Sequence, residues 1–129
     1  EGKNISEREI VYIHERKTGA LIRCSIRIGA LLAGANGAAF SRLSQYGEKI
    51  GLAFQIIDDI LDVEGDSTLL GKNAGSDSKK QKATYPRVVG MEQARADASR
   101  LIDEAIALVD LGSGNVLTWL ARFIGQRES

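Results

Sequence analysis

Apolar residues recur at helical spacing along most of the chain, interrupted at a few places by turn chemistry. Ser6-Glu7-Arg8-Glu9 has the form of a capping box, with Ile5 and Ile10 placed to staple it. Helical spacing continues through Ile10, Ile13, Leu21, Cys24 and Ile28, with a bend expected at Gly19. Asn36-Gly37 signals a turn, after which a second helix is predicted from about residue 38 to 62 on Leu43, Ile50, Ile57 and Leu61. Residues 64–85, EGDSTLLGKNAGSDSKKQKATY, are rich in Gly, Ser, Asp and Lys, a length of connection that in a compact domain is functional or disordered. Pro86 opens a short turn ending near Gly90. A third helix is predicted over about 92–111, with Ala94, Ala98, Leu101, Ala105 and Leu108 as its buried stripe. Gly112-Ser113-Gly114 breaks it, and 116–124 forms a last amphipathic helix. With one proline and little β-branched alternation, the expected fold class is all-α.

The stretch LAFQIIDDILD, residues 52–62, sets the chemical question, because an apolar segment carries three aspartates and no base. At about 100° per residue, Glu48, Gly51, Gln55, Asp58, Asp59 and Asp62 share one narrow sector, and apolar residues fill most of the rest. Asp58 and Asp62 are one turn apart, their side chains about 6 Å from each other. At an effective dielectric of 20 such a pair repels by roughly 3 kcal/mol, so a cation is expected to offset it. Mg2+ suits the arrangement: it takes one or two carboxylates, keeps several waters and shares substrate phosphates. A solvated acidic face is the plain alternative.

Composition narrows the partners. The 129 residues suggest one domain or part of a larger one, and 17 basic against 17 acidic residues give a field that favours neither nucleic acid nor an anionic membrane. The single cysteine, Cys24, cannot form an internal disulfide, which fits a reducing, cytoplasmic location. No apolar run reaches spanning length, and EGKNISERE at the start is no signal peptide. The first residue is not Met, so the chain is expected to be a piece of a longer one.

Among the basic residues, Lys17 falls in line with Ile10, Leu21, Cys24 and Ile28 if the first helix is continuous, and there it either snorkels or meets an anion. Thr18 and Gly19 beside it offer a hydroxyl and an accessible backbone. Lys72, Lys79, Lys80 and Lys82 lie on the long connection, as a solvated charge run or as a lid that closes on phosphate oxygens. His14, the only histidine, supports no histidine-rich metal site and reads as a core or surface residue. Gly71-Lys72-Asn73-Ala74-Gly75 lacks the spacing of a phosphate-binding P-loop. Trp119 is expected to pack rather than to stack on bases.

Lys17-Thr18-Gly19 with Ala20-Leu21-Ile22-Arg23, then GLAFQIIDDILD, GDSTLLGK and Lys82-Ala83-Thr84-Tyr85-Pro86, closely resemble the trans-prenyltransferases of the polyprenyl synthetase family, nearest to bacterial farnesyl diphosphate synthases. DDILD is similar to that family's second aspartate-rich motif. The resemblance covers nearly the whole chain and implies an isoprenoid synthase helical bundle of which residues 1–129 are the C-terminal part, a homodimer, and a lid at about 64–85. It further implies condensation of isopentenyl diphosphate with an allylic diphosphate, giving farnesyl or geranyl diphosphate with Mg2+ as cofactor.

Residue by residue, the resemblance assigns Asp58 to the metal, with Asp59 and Asp62 completing the motif. Gln55 faces the reacting allylic end, Lys17 and Lys72 hold the allylic diphosphate with Lys82 near it, and Thr18 lies close to the developing cation. No second DDxxD occurs, so the chain alone is expected not to catalyse prenyl transfer. A non-catalytic helical subunit derived from the same fold, or a plain helical interaction domain, is the competing reading.

Overall fold

The computed structural model describes residues 5–70 (backbone alone over 66–70), 83–109 and 115–127. Six helices run in order: α1 Glu7–Arg16, α2 Thr18–Leu32, α3 Gly37–Leu70, α4 Tyr85–Val89, α5 Met91–Val109 and α6 Val116–Gly125. No strand occurs among the described residues, as the all-α expectation requires.

Local sequence explains most of the helix ends. The Ser6 hydroxyl accepts from the Glu9 N–H while the Glu9 carboxylate accepts from the Ser6 N–H at 2.9 Å, closing the capping box. Ile10 is buried and Ile5 packs against the same core, which completes the staple. Asn36 caps α3, its side-chain oxygen accepting from Ala39 N–H at 2.9 Å, whereas the left-handed turn falls earlier, at Gly34 with φ 70°. Pro86 sits in the first turn of α4, where its missing N–H costs no bond, and Gly90 ends that helix at φ 95°. Asn115 bridges two helices, accepting from Leu117 and Thr118 N–H at the start of α6 and donating to Val109 O at the end of α5. The predicted break at Gly112-Ser113-Gly114 lies outside the described residues.

The 34-residue α3 is the axis, about 50 Å long at 1.5 Å per residue, with α2 and α5 packed along it. Tyr46, Ile50, Ala53, Ile56, Ile57 and Ile60 of α3 meet Ala94, Ala98, Leu101, Ile102, Ala105 and Val109 of α5 in one core. Tyr46 donates its hydroxyl proton to Leu117 O at 2.7 Å, tying α6 to α3. The helix of α3 continues to Leu70, so the connection starts later than the expected residue 64; Glu64 is ion-paired to Arg95 of α5, which fixes the backbone there.

Two expectations are corrected. The first helix is not continuous with a bend at Gly19: it breaks at Lys17, where φ −94° and ψ −121° are not helical. The break re-phases α2, so Gly19, Ile22, Ile26 and Ala30 turn inward, while Leu21 (67% exposed), Cys24 and Ile28 face out and Lys17 leaves the core stripe. Trp119 does not pack in the core either; it is 60% exposed and stacks on Phe123 with ring centroids 5.2 Å apart.

Candidate active site

The break at Lys17 is held against α3 at two points. On one side, the Gly19 backbone lies on the Gly51 backbone: a β-carbon on Gly51 would meet Gly19 Cα at 2.9 Å, so only glycine pairs this closely here. On the other, the buried His14 (4% exposed) places Nε2 3.1 Å from Asp59 Oδ2. Gly51, Gln55 and Asp59 follow one another at i, i+4 and i+8, hence on one face of α3, and all three are buried. The anchors are therefore about 12 Å apart along α3, and Gln55 lies midway between them. Lys17, exposed, and Thr18, half-buried, sit on the segment between the anchors, bracketed to either side of the Gln55 turn. The two anchors thus lay the segment that carries Lys17 and Thr18 alongside the stretch of α3 that carries Gln55.

The three aspartates divide. Asp58 is half-buried and paired with Arg127, Nη1 to Oδ1 at 2.8 Å but without hydrogen-bond alignment, and the Arg127 guanidinium lies 4.6 Å from the Phe54 ring centre. Asp62, one turn further on, is exposed. Asp59 turns inward, where Oδ2 accepts from the Tyr85 N–H at 2.7 Å as well as facing His14. That carboxylate serves as the cap of α4 from across the bundle, satisfying a donor that the Thr84 side chain leaves open. Asp58 and Asp59, which look unpartnered in the sequence, each meet residues far away in it.

From Tyr85 the polar network runs on. Its hydroxyl donates to Asp97 Oδ2 at 3.1 Å, and Arg100 donates to the other Asp97 oxygen at 3.0 Å and to Glu104, which also receives Lys49. Burial pushes the Tyr85 hydroxyl up to about 12, with Asp97 adding to the rise, and burial alone pushes Tyr46 to about 12. Burial also acts to raise Asp97, but hydrogen bonds from Arg100, Gln93 and Tyr85 outweigh it and hold that carboxyl below its ordinary range.

For Mg2+, the donor set is a pair of hard, partly solvent-facing carboxylates at i, i+4, Asp58 and Asp62. No cluster of three or more His, Cys, Asp or Glu side chains fit to cage a metal occurs among the described residues. This fits an ion that keeps waters and shares phosphate oxygens, and does not fit an all-protein cage. The expectation that Asp59 shares the metal meets a competing engagement, since its Oδ2 is occupied by His14 and Tyr85. Lys72 and Lys82, with Lys79 and Lys80, lie outside the described residues.

Sequence reasoning set His14 aside, and it did not single out Tyr85, Asp97 or Arg127. A signal existed for His14 alone: it stands four residues after Ile10 on the inward face and three before Lys17. No helix among the described residues is long and apolar enough to cross a membrane.

The all-α fold described above is one that solved prenyl synthases share. The polyprenyl synthetase family model matches residues 1–117, and the chain belongs to that family. It is 53% identical to the farnesyl diphosphate synthase of Escherichia coli (strain K12) over 106 residues, covering 81% of this chain and 36% of that protein. Identity to a dimethylallyltranstransferase of Fischerella ambigua (strain UTEX 1903) is 50%, covering 80% of this chain and 30% of that protein. The crystal structure of a putative farnesyl-diphosphate synthase from Marinomonas sp. MED121 superposes with a TM-score of 0.76 at 38% identity, covering 96% of this chain and 42% of that one. That of geranylgeranyl pyrophosphate synthetase from Pyrococcus horikoshii Ot3 gives 0.77 at 26% identity, covering 96% and 50%. The chain spans about a third to a half of the length of these relatives.

Proposed function

We propose that these residues form the part of a prenyltransferase site that grips and ionises an allylic diphosphate, in a protein condensing it with isopentenyl diphosphate to farnesyl or geranyl diphosphate. The observation that carries this reading is the bracketing of the Lys17–Thr18 break over Gln55, on the helix that bears Asp58 and Asp62. Lys17 supplies a compact positive charge to the diphosphate, and Lys72 and Lys82 are assigned to the same anion by resemblance. Asp58 and Asp62 would hold Mg2+, which when bound offsets charge on the departing diphosphate. Thr18 and Gln55 turn oxygen atoms toward the allylic end, where positive charge develops. Ile56 and Ile60, buried on α3, belong to an apolar interior that excludes water from such a cation. The alkene of the second substrate attacks that carbon, and the proton it then loses goes to the departing diphosphate.

The test is binding of inorganic pyrophosphate in the presence and absence of Mg2+. Binding is expected to require Mg2+ and to weaken with Asp58→Ala; unchanged binding by Asp58→Ala would sink the assignment. Because the chain spans 36% of a relative 53% identical to it, we also propose that it does not condense the two diphosphates unaided. Robust product from radiolabelled isopentenyl diphosphate and geranyl diphosphate on the isolated chain is the contrary result.

A second reading has an observation of its own. Leu21, Ile28, Leu31 and Leu32 on α2, and Val116, Trp119 and Phe123 on α6, are exposed large apolar side chains. Such faces suit a helical subunit that serves a partner, or a second copy in a homodimer. Pyrophosphate binding that ignores Mg2+, combined with a stable complex in solution, would favour the subunit over the catalyst.

A further inference from the structure

Asp59 and His14 form a contact whose position matters more than its contribution to the core. His14 is the last residue of α1 on the inward face, and its carbonyl accepts the Lys17 N–H at 3.3 Å, closing the turn on which Lys17 stands. The same carbonyl would lie 2.9 Å from a β-carbon on Gly19. One residue therefore bears on the break twice: its imidazole meets α3 at Asp59, and its carbonyl lies against Lys17 and Gly19.

Stability alone does not account for this residue. His14 Nδ1 is buried with no hydrogen-bond partner among the described residues, an unfavourable state that an apolar side chain would avoid. Buried polar pairs are commonly no more stable than well-packed apolar replacements, and specifying a single geometry is their best-attested use. Here the geometry specified is the approach of the Lys17–Thr18 break to α3. Asp59 is well suited to it, because the Tyr85 N–H bond at 2.7 Å independently fixes the same carboxylate oxygen, Oδ2.

We propose that His14 and Asp59 are positioning residues, a latch that sets Lys17 and Thr18 at the reacting end of the allylic diphosphate, with Asp59 serving this latch rather than the metal. The proposal rests on the reading of Lys17 as a diphosphate ligand. Neither latch residue touches substrate; both act through the backbone of residues 14–19. Loss of the latch frees the break to drift from α3, so the ammonium of Lys17 no longer arrives pre-placed and its benefit is lost.

The test is a double-mutant cycle on the intact protein carrying these residues, with inorganic pyrophosphate and Mg2+ as the probe in titration calorimetry. Lys17→Met and His14→Ala are each expected to weaken binding by about tenfold, and the double variant by little more than the worse single, since both remove the same contact. The number of sites per chain is expected to stay near that of the parent, whereas mere loss of folded protein would lower it and leave the affinity unchanged. His14→Gln, which keeps an N–H donor for Asp59, is expected to recover most of the affinity. Where His14→Ala yields no folded protein, Asp59→Ala takes its place in the cycle with the same expectation. Effects that multiply to about a hundredfold overturn the latch and leave Lys17 as a ligand. Parent affinity in His14→Ala also overturns the latch alone, and no effect of Lys17→Met overturns the diphosphate reading and the latch together.

Discussion

Gly19 and Gly51 meet backbone to backbone, and a β-carbon on Gly51 would lie 2.9 Å from both Cα and O of Gly19. Neither atom can move without shifting a helix, so Gly51→Ala must push α2 off α3 at the point that carries the Lys17 break. The expected loss is about 1–3 kcal/mol, as for other overpacked cores. Gly29, on the same α2 helix, has nothing within 4 Å of its hypothetical β-carbon, and Gly29→Ala is expected to gain about 0.5–1 kcal/mol by helix propensity. Urea titrations of the two variants should move in opposite directions, and a Gly51→Ala protein as stable as the parent would contradict the crossing.

Tyr46 and Tyr85 give the protein an alkaline limit. Both hydroxyls are raised from 10.0 to about 12, so the folded chain holds these protons more tightly than the unfolded one. Their contribution is complete below pH 10 and is lost as the pH rises from 10 through about 12. Thermal melts over that range should fall less steeply for Tyr46→Phe than for the parent, although Tyr46→Phe starts lower because Leu117 O loses its donor. Parallel slopes in the two proteins would show that Tyr46 takes no part.

At the acid end the sign reverses. Asp97 is held below 3.8 in the folded chain, so its contribution is present above 3.8 and drains away as the pH falls through the lower folded value. Asp97→Asn removes the titrating group and leaves Arg100 with Glu104 as its carboxylate partner. The variant is expected to be less stable than the parent at pH 7, by about 1–3 kcal/mol for a charged hydrogen-bond partner, and to converge with it as acid is added. Urea midpoints at neutral and acid pH measure the gap, which should narrow.

Much of this architecture could be read locally. The capping box at Ser6, the first-turn Pro86 and the alanine stripe of α5 are short-range devices, and each appears where its residues predicted it. The break at Lys17 has no such signal, since lysine is a good helix former and neither Pro nor Gly stands at that position. It is imposed by the two anchors on α3, which belong to tertiary packing. A helical projection likewise groups Asp58, Asp59 and Asp62 as one acidic sector, yet cannot know that α1 and α4 cover the edge where Asp59 points. Lys72 and Lys82 are legible in the sequence as part of a lysine-bearing connection, their individual roles come only from the resemblance, and both lie outside the described residues.

Under the proposed metal reading, Arg127 sets how readily Asp58 would take Mg2+. Its guanidinium stands 2.8 Å from Asp58 Oδ1 and is steadied by the Phe54 ring, so a divalent ion arriving at Asp58 competes with a positive charge already present. Both partners are partly exposed, at 32% and 41% of their side-chain surface, which limits the pair to about 0–1 kcal/mol. Removing the guanidinium strips Asp58 of a competing positive charge, so a divalent ion binding there has less to displace. Arg127→Gln is therefore expected to lower the Mg2+ concentration for half-maximal pyrophosphate binding by about two- to fivefold, while Asp62→Asn raises it. The opposite sign for Arg127→Gln, weaker binding at saturating Mg2+, would mean that Arg127 contacts the anion itself and that its pairing with Asp58 is the resting partner of a phosphate-binding arginine. Titrations with Mg2+ varied at fixed pyrophosphate, and then with pyrophosphate varied at saturating Mg2+, separate the two outcomes.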